Sequence, residues 1–122
     1  MPLAKQAKMV EKLAELTDAG AIDWKPSVNE GTFQVSFRDN TLRITTRDSR
    51  DGFDIVIQLL NGNGELVETI TDVELAADTP IDEPGGWFGL MSDLYENARR
   101  KALGADKVLD EIIADLDSTI PF

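Results

Sequence analysis

The chain contains neither cysteine nor histidine among its 122 residues. Without cysteine it cannot form a disulfide, use a thiolate as a nucleophile or bind a metal ion through sulfur. Without histidine it has no imidazole ligand for a metal and no side chain that ordinarily titrates near neutral pH. These two absences exclude most common hydrolytic mechanisms and transition-metal sites. Any acid–base chemistry would have to depend on carboxylates or lysine.

Long apolar runs are also missing. Residues 1–17 mix lysine, glutamate and small residues, and lack the uninterrupted apolar core of a signal peptide. No window approaches the roughly 20 apolar residues that a membrane-spanning helix needs. With 42% hydrophobic residues the chain can bury a core, which argues against a disordered acidic segment. We therefore expect one cytoplasmic domain over residues 1–122, with no membrane partner.

Positive charge is absent from the middle of the chain. Between Asp51 and Ala98 there is no Lys or Arg, whereas this stretch holds eleven acidic residues. The rest of the chain has twelve acids and twelve bases, so the net charge of −11 comes entirely from the middle. A field of one sign repels nucleic acid and anionic membranes, and it accelerates encounters with basic partners.

The hydrophobic periodicity predicts a helix, about five strands and two further helices. Apolar residues recur at helical spacing near each end, and at every second position between them. Tight turns separate the strands, with Asp39–Asn40 as a two-residue hairpin and residues 61–64 (Asn-Gly-Asn-Gly) as the strongest turn signal. The predicted segments are a helix over 1–20, a sheet over 21–71, an acidic linker over 72–86, a helix pair over 87–116 and a tail over 117–122.

These elements predict an α+β fold in which an antiparallel meander is flanked by helices. Short strands joined by tight turns favour antiparallel pairing. Because one helix precedes the sheet and two follow it, we expect the C-terminal helices to pack on one face of the sheet. In the last helix, an apolar stripe is expected to face the core; its members are Leu109, Ile112, Ile113 and Leu116.

A search for chemical motifs finds none. The chain has no glycine-rich phosphate-binding loop. A calcium-binding loop needs acidic or amide ligands at fixed positions around a glycine, and no glycine of this chain has them. The basic run Arg99–Lys101 follows Glu96 at helical spacing, which favours pairing within the helix over contact with nucleic acid. We therefore predict no catalytic, cofactor-binding or metal-binding residues.

Two features remain as a candidate interaction surface. The acids of the linker and of the helix after it are predicted to steer a basic partner; they are Asp72, Glu74, Asp78, Asp82, Glu83 and Asp93. Trp87 and Phe88 follow a glycine pair and are predicted to anchor that partner, because consecutive aromatic residues cannot both face one core from one helix. In the alternative interpretation Trp87 covers the sheet and Phe88 packs against a neighbouring helix.

Two segments carry a resemblance. Residues 94–103 (LYENARRKAL) with the apolar residues after them, and residues 20–25 (GAIDWK), resemble a late helix pair and a first strand of a group of small bacterial proteins. No activity is attached to that group. In general build the chain is also similar to acidic chaperones of secretion systems, although those place a helix inside the sheet.

The sequence thus predicts a non-enzymatic, acidic protein-interaction module that captures a basic protein surface, as an inhibitor, an immunity-type protein or a chaperone. A narrower alternative is a nucleic-acid mimic whose carboxylates block a nucleic-acid-binding protein. A second alternative is an enzyme with a carboxylate-only or metal-assisted site. A homodimer without a dedicated basic ligand is a third.

Overall fold

The computed structural model describes residues 2–119 and has the predicted α+β fold. An N-terminal helix precedes a five-stranded antiparallel sheet, and C-terminal helices follow it. The helices are α1 (Ala4–Asp18), α2 (Asp72–Asp78), α3 (Gly86–Leu103) and α4 (Ala105–Thr119). The strands are β1 (Lys25–Pro26), β2 (Phe33–Phe37), β3 (Asn40–Ser49), β4 (Gly52–Leu60) and β5 (Leu66–Thr71). The predicted tail begins inside α4, and its last three residues, 120–122, lie outside the described range.

The sheet is a meander in which each strand pairs with the next, in the order β1-β2-β3-β4-β5. The turn before β5 forms as predicted, since the side chain of Asn61 accepts hydrogen bonds from the backbone N–H groups of Asn63 and Glu65. The turn between β2 and β3 lies one residue earlier than predicted. Phe37 pairs with Asn40, so its central residues are Arg38 and Asp39, and Arg38 has a φ of 57°.

The core lies between one face of the sheet and helices α1 and α3. Alternate residues of the strands supply the sheet side, where Ile44 of β3 is paired with Ile57 of β4 and both are fully buried. Val10 of α1 and Leu94 of α3 come from the helix side and are equally buried. β4 is buried on its other face as well, at Val56. Burial on both faces is typical of a strand inside a sheet, and β4 lies between β3 and β5.

β1 is much shorter than predicted. Ile22 and Trp24 alternate as strand residues do and are buried, yet they precede the two residues that pair with β2. The indole N–H of Trp24 donates to the hydroxyl of Thr17 in α1, at 3.1 Å. The alternation therefore reflects packing of an edge segment beside α1.

The predicted linker over 72–86 contains a helix. α2 begins directly after β5, and the Thr71 side chain caps it by accepting from the Glu74 N–H at 3.1 Å. Asp72 is buried and accepts a hydrogen bond of 2.8 Å from the backbone of Ile55 in β4. Only residues 79–85 connect α2 to α3 without helical structure.

The apolar stripe of the last helix does not face the core. Every residue from Asp106 to Thr119 is exposed, and no side chain of α4 is buried. The prediction that the apolar stripe of α4 packs inside the domain was therefore wrong. Its four residues are each about half exposed; they are Leu109, Ile112, Ile113 and Leu116. α4 follows α3 after Gly104, which ends α3 with a φ of 67°.

Candidate protein-interaction site

Five carboxylates line one groove between α1 and α3. The groove has a volume of about 390 Å³. Its acidic residues are Glu11, Glu15, Asp18, Glu83 and Asp93, and we refer to it as the acidic groove. Its floor is less polar, with Ala14, Leu90, Leu94 and Asn97. The groove thus combines a negatively charged rim with a partly apolar base.

The acidic groove is assembled from three segments that are distant in sequence. In α1, Glu11, Glu15 and Asp18 follow at intervals of four and three residues, so they lie on one side of the helix. Asp93 lies on α3, and Glu83 lies in the connection that precedes α3. Packing of α1 against α3 brings these segments together.

The connection before α3 is fixed at its start. The indole N–H of the buried Trp87 donates to the backbone carbonyl of Thr79 at 2.7 Å. The carboxylate of Asp78 accepts from the backbone N–H of Leu3, at 3.0 Å, which ties the end of α2 to the start of α1. These contacts determine where Glu83 lies relative to α1.

None of the described residues that line the acidic groove is positively charged. Its five acidic residues are exposed, and among residues 2–119 none of them forms an ion pair or a side-chain hydrogen bond. Lys8 and Lys12 lie beside Glu11 and Glu15 on the solvent side of α1, but they do not line the groove. Within the groove itself, like charges that lie close together produce a negative potential that attracts cationic groups.

Three of the acids predicted to steer a partner make contacts within the molecule. Asp72 is buried against β4, so its carboxylate is not available to a partner. Glu74 accepts a hydrogen bond from the Thr71 hydroxyl at 3.0 Å at the start of α2. Asp78 binds the start of α1.

The other predicted residues divide between the acidic groove and other surfaces. Glu83 and Asp93 line the groove, whereas Asp82 is exposed but does not line it. Trp87 is 2% exposed and belongs to the core, so it cannot anchor a partner. Phe88 is 42% exposed and its ring lies 5.6 Å from that of Phe53 on β4. Trp87 thus covers the sheet as in the alternative interpretation, whereas Phe88 is partly exposed and lies beside a strand instead of the neighbouring helix that this interpretation expected.

Phe88 is separated from the acidic groove by the body of α3. It precedes Asp93 by five residues, which places the two side chains about 140° apart around the helix. The structure therefore does not unite the predicted aromatic anchor with the predicted acids on one surface.

The glutamates and aspartate of α1 were missed by the sequence reasoning. The charge asymmetry directed attention to the middle of the chain, and α1 as a whole contains nearly balanced charges. The spacing of Glu11, Glu15 and Asp18 was the available signal, since it places three acids on one side of an amphipathic helix. Only the packing of α1 against α3 shows that this side adjoins Asp93.

The basic run on α3 is paired within its own helix at Arg99, as predicted, whereas Arg100 pairs with α4 instead. Arg99 donates two hydrogen bonds to Glu96, at 2.6 and 3.2 Å, and this contact lowers the pKa of Glu96 from its usual value. Arg100 donates to Asp106 at the start of α4, at 2.7 Å. Tyr95 donates to the backbone carbonyl of Gly31, and burial raises the pKa of its hydroxyl.

Within the described range, no group of three acidic side chains is arranged to hold a metal ion. Of the helices described here, none is both long and apolar enough to cross a membrane.

Comparison of the chain with protein-family models, with curated proteins and with solved structures finds no match.

Proposed function

We propose that the protein is a non-enzymatic interaction module that captures a basic protein surface through the acidic groove between α1 and α3. The observation that carries this proposal is the convergence of five carboxylates from three segments on one groove, where none of the described lining residues is a base and no ion pair with another described residue neutralises them. A lysine- or arginine-rich loop or helix on a partner would find complementary charge there.

The floor of the groove supports a protein partner. Leu90 is partly buried and Leu94 fully so, which gives the base of the groove an apolar surface between the carboxylates. The stems of lysine and arginine side chains are apolar and pack along such surfaces while their charged ends meet carboxylates. Arginine could in addition form bidentate contacts with a glutamate or an aspartate.

The expected contribution of the groove is fast, salt-dependent association. Exposed charge pairs are screened by salt, with a Debye length of about 8 Å at physiological ionic strength. Charged rim residues mainly raise the association rate and select the partner by charge, and they add less to the lifetime of a complex. Capture should therefore weaken as salt is raised.

Affinity capture with a matched pair of variants tests this function. The groove variant carries Glu11→Gln, Glu15→Gln, Glu83→Gln and Asp93→Asn. The control variant removes the same amount of charge elsewhere, by Glu30→Gln, Asp48→Asn, Asp51→Asn and Asp82→Asn, all at exposed positions. Each chain is immobilised and exposed to lysate of the source cells at low and at moderate salt.

The proposal predicts that the wild-type and control chains retain the same basic protein at low salt and release it as salt rises, whereas the groove variant does not retain it. Equal retention by all chains would contradict the groove as the site. Competition for that protein by DNA or RNA would identify nucleic-acid mimicry as the form that capture takes.

A further inference from the structure

The apolar side of α4 has no partner within the described chain. Its five aliphatic side chains lie within an arc of about 140° of the helix and are 49–57% exposed; they are Val108, Leu109, Ile112, Ile113 and Leu116. A single exposed leucine needs no explanation, but a continuous stripe of this kind is typical of a helix that binds another surface. At about 1.5 Å per residue, the 15 residues of α4 give it a length of about 22 Å.

A second unpartnered surface is an apolar groove on the side of α1 away from the acidic groove. It lies between α1 and the end of the sheet at which β2 turns into β3, and has a volume of about 490 Å³. We call it the apolar groove and define it by Met9, Leu13, Leu16, Phe37, Leu59 and Val67. Phe37 and Val67 are 43% and 60% exposed, so apolar surface lies open to solvent here as well.

The two surfaces carry complementary charge. Of the described residues that line the apolar groove, only Lys12 is charged. Lys8 and Lys5 lie about one and two turns before it on α1, and Lys8 also lies beside Glu11 and Glu15. None of these lysines forms an ion pair with another described residue.

The stripe on α4 is bordered by acids on both sides. Asp115 flanks one edge of it, and Asp110 and Asp117 flank the other. In the described structure no base pairs with these three aspartates. The helix thus has an apolar face bordered by aspartates. The apolar groove has an apolar surface with Lys12 at its edge.

We propose that α4 of one copy of this chain docks into the apolar groove of a second copy, and that the second copy returns the contact. This arrangement is a two-fold dimer, in which each residue of α4 meets the same groove residues in both copies. It is the helix-in-groove mode of recognition, with apolar anchors at positions 109, 112, 113 and 116.

The size of the two surfaces is compatible with a stable pair. Because the exchange is reciprocal, two stripes and two grooves are buried at once. Specific protein interfaces bury about 1,200 Å² or more, and two contacts approach that size more readily than one. The dimer does not use the acidic groove, so each dimer would present two copies of that groove to basic partners.

Engineered cysteines test the proposed contact directly, since the chain has no cysteine of its own. One variant carries Ile112→Cys on α4, and a second carries Leu16→Cys in the apolar groove. Under mild oxidation the proposal predicts a disulfide between copies when the two variants are mixed, and little cross-linking when either is alone. Cross-linking of the Ile112→Cys variant with itself would instead show that two α4 helices pair, and would overturn the proposal.

Sedimentation equilibrium of the full chain gives a second, independent readout. The wild type should be dimeric at micromolar concentrations, and Ile112→Asp with Leu116→Asp should make it monomeric. Ala114→Asp adds negative charge to the polar side of α4 and should leave the dimer intact. A wild-type chain that stays monomeric up to high micromolar concentrations, with an intact circular-dichroism spectrum, would overturn the proposal.

A charge exchange separates the proposed contact from any other dimer. Lys12→Glu and Asp115→Lys should each weaken dimerisation several-fold, and their combination in one chain should restore most of it. Failure of the combination to restore the dimer would contradict the predicted pairing of α4 with the edge of α1.

Discussion

At the residue scale, the role of a side chain depends more on its contacts and burial in the folded chain than on its residue type. Asp72 and Glu83 both belong to the acidic middle of the chain, but Asp72 is buried against β4 whereas Glu83 is exposed in the acidic groove. Charge alone could not separate them, since the sequence does not show that Asp72 starts a helix directly after a strand. Trp87 is a similar case, because only the structure shows its hydrogen bond to Thr79.

The structural role of Asp72 leads to the first prediction. Asp72→Ala removes the acceptor for the buried N–H of Ile55 and should destabilise the fold by about 1–3 kcal/mol, the usual cost of an unsatisfied buried donor. Asp82→Ala, at an exposed position, should change stability by less than about 0.5 kcal/mol. Urea denaturation followed by tryptophan fluorescence measures both. Equal stability of the two variants would show that the hydrogen bond to Ile55 contributes nothing.

The turn between β2 and β3 gives the second prediction. Arg38 has a φ of 57°, in a region that costs a residue with a side chain about 1–2 kcal/mol and costs glycine almost nothing. Arg38→Gly should therefore raise stability, by up to about 1 kcal/mol after the greater flexibility of glycine in the unfolded chain is allowed for. Asp39→Gly, at a residue without positive φ, should lower it. Thermal unfolding of both variants measures these changes in stability. A loss of stability on Arg38→Gly would contradict the prediction.

The ion pair of Glu96 with Arg99 gives the third prediction, which concerns pH. The folded state lowers the pKa of Glu96 from the usual 4.5, so the pair stabilises the fold above that pH and loses its effect as pH falls through the lowered value. Glu96→Gln should slightly destabilise the protein at pH 7, with a difference that disappears under acidic conditions. Arg99→Gln should show the same pH dependence. A difference that persists at low pH would mean that the pair is not its source.

At the scale of the elements, local signals sufficed for most of the fold. The period-two pattern and the turn at residues 61–64 are short-range features, and they led to the correct meander of strands. Failures occurred where an element depends on distant contacts. α2 has only seven residues and is held by its Thr71 cap and by the contact of Asp72 with β4, neither of which a periodic pattern contains.

The last helix shows what a periodic pattern leaves open. The apolar spacing in α4 correctly predicts a helix with one apolar side, but the pattern is the same whether this side meets its own core or another molecule. The same limitation applies to the acidic groove, since the alignment of α1 beside α3 is a tertiary contact.

The fourth prediction compares exposed and buried apolar residues of the helices. Ile113→Asp on α4 should leave the stability of the monomer within about 0.5 kcal/mol of the wild type, because this side chain is 54% exposed. Leu94→Ala on α3, where the leucine is buried, should cost about 2–5 kcal/mol. Chemical denaturation at concentrations low enough to keep the chain monomeric measures both. A large loss of stability on Ile113→Asp would show that α4 packs against its own domain.

At the scale of the whole molecule, α1 separates two surfaces of different character. On one side lies the acidic groove shared with α3, and on the other lies the apolar groove at the end of the sheet. The net charge of −11 is therefore not spread evenly: the carboxylates of the acidic groove lie together on one side of α1, whereas Lys12 lines the apolar groove on the other. A basic partner and a second copy of the chain can therefore occupy different sides of the same helix.

The most direct test of the acidic groove is a titration of the isotope-labelled protein with a short lysine-rich peptide, followed by two-dimensional NMR at low and moderate salt. We expect the largest shift changes at Glu11, Glu15, Asp18, Glu83 and Asp93 and at their neighbours, and we expect them to fade as salt rises. Changes centred on Asp82, on α4 or evenly over the acidic surface would contradict the assignment of this groove as the site that captures a basic partner.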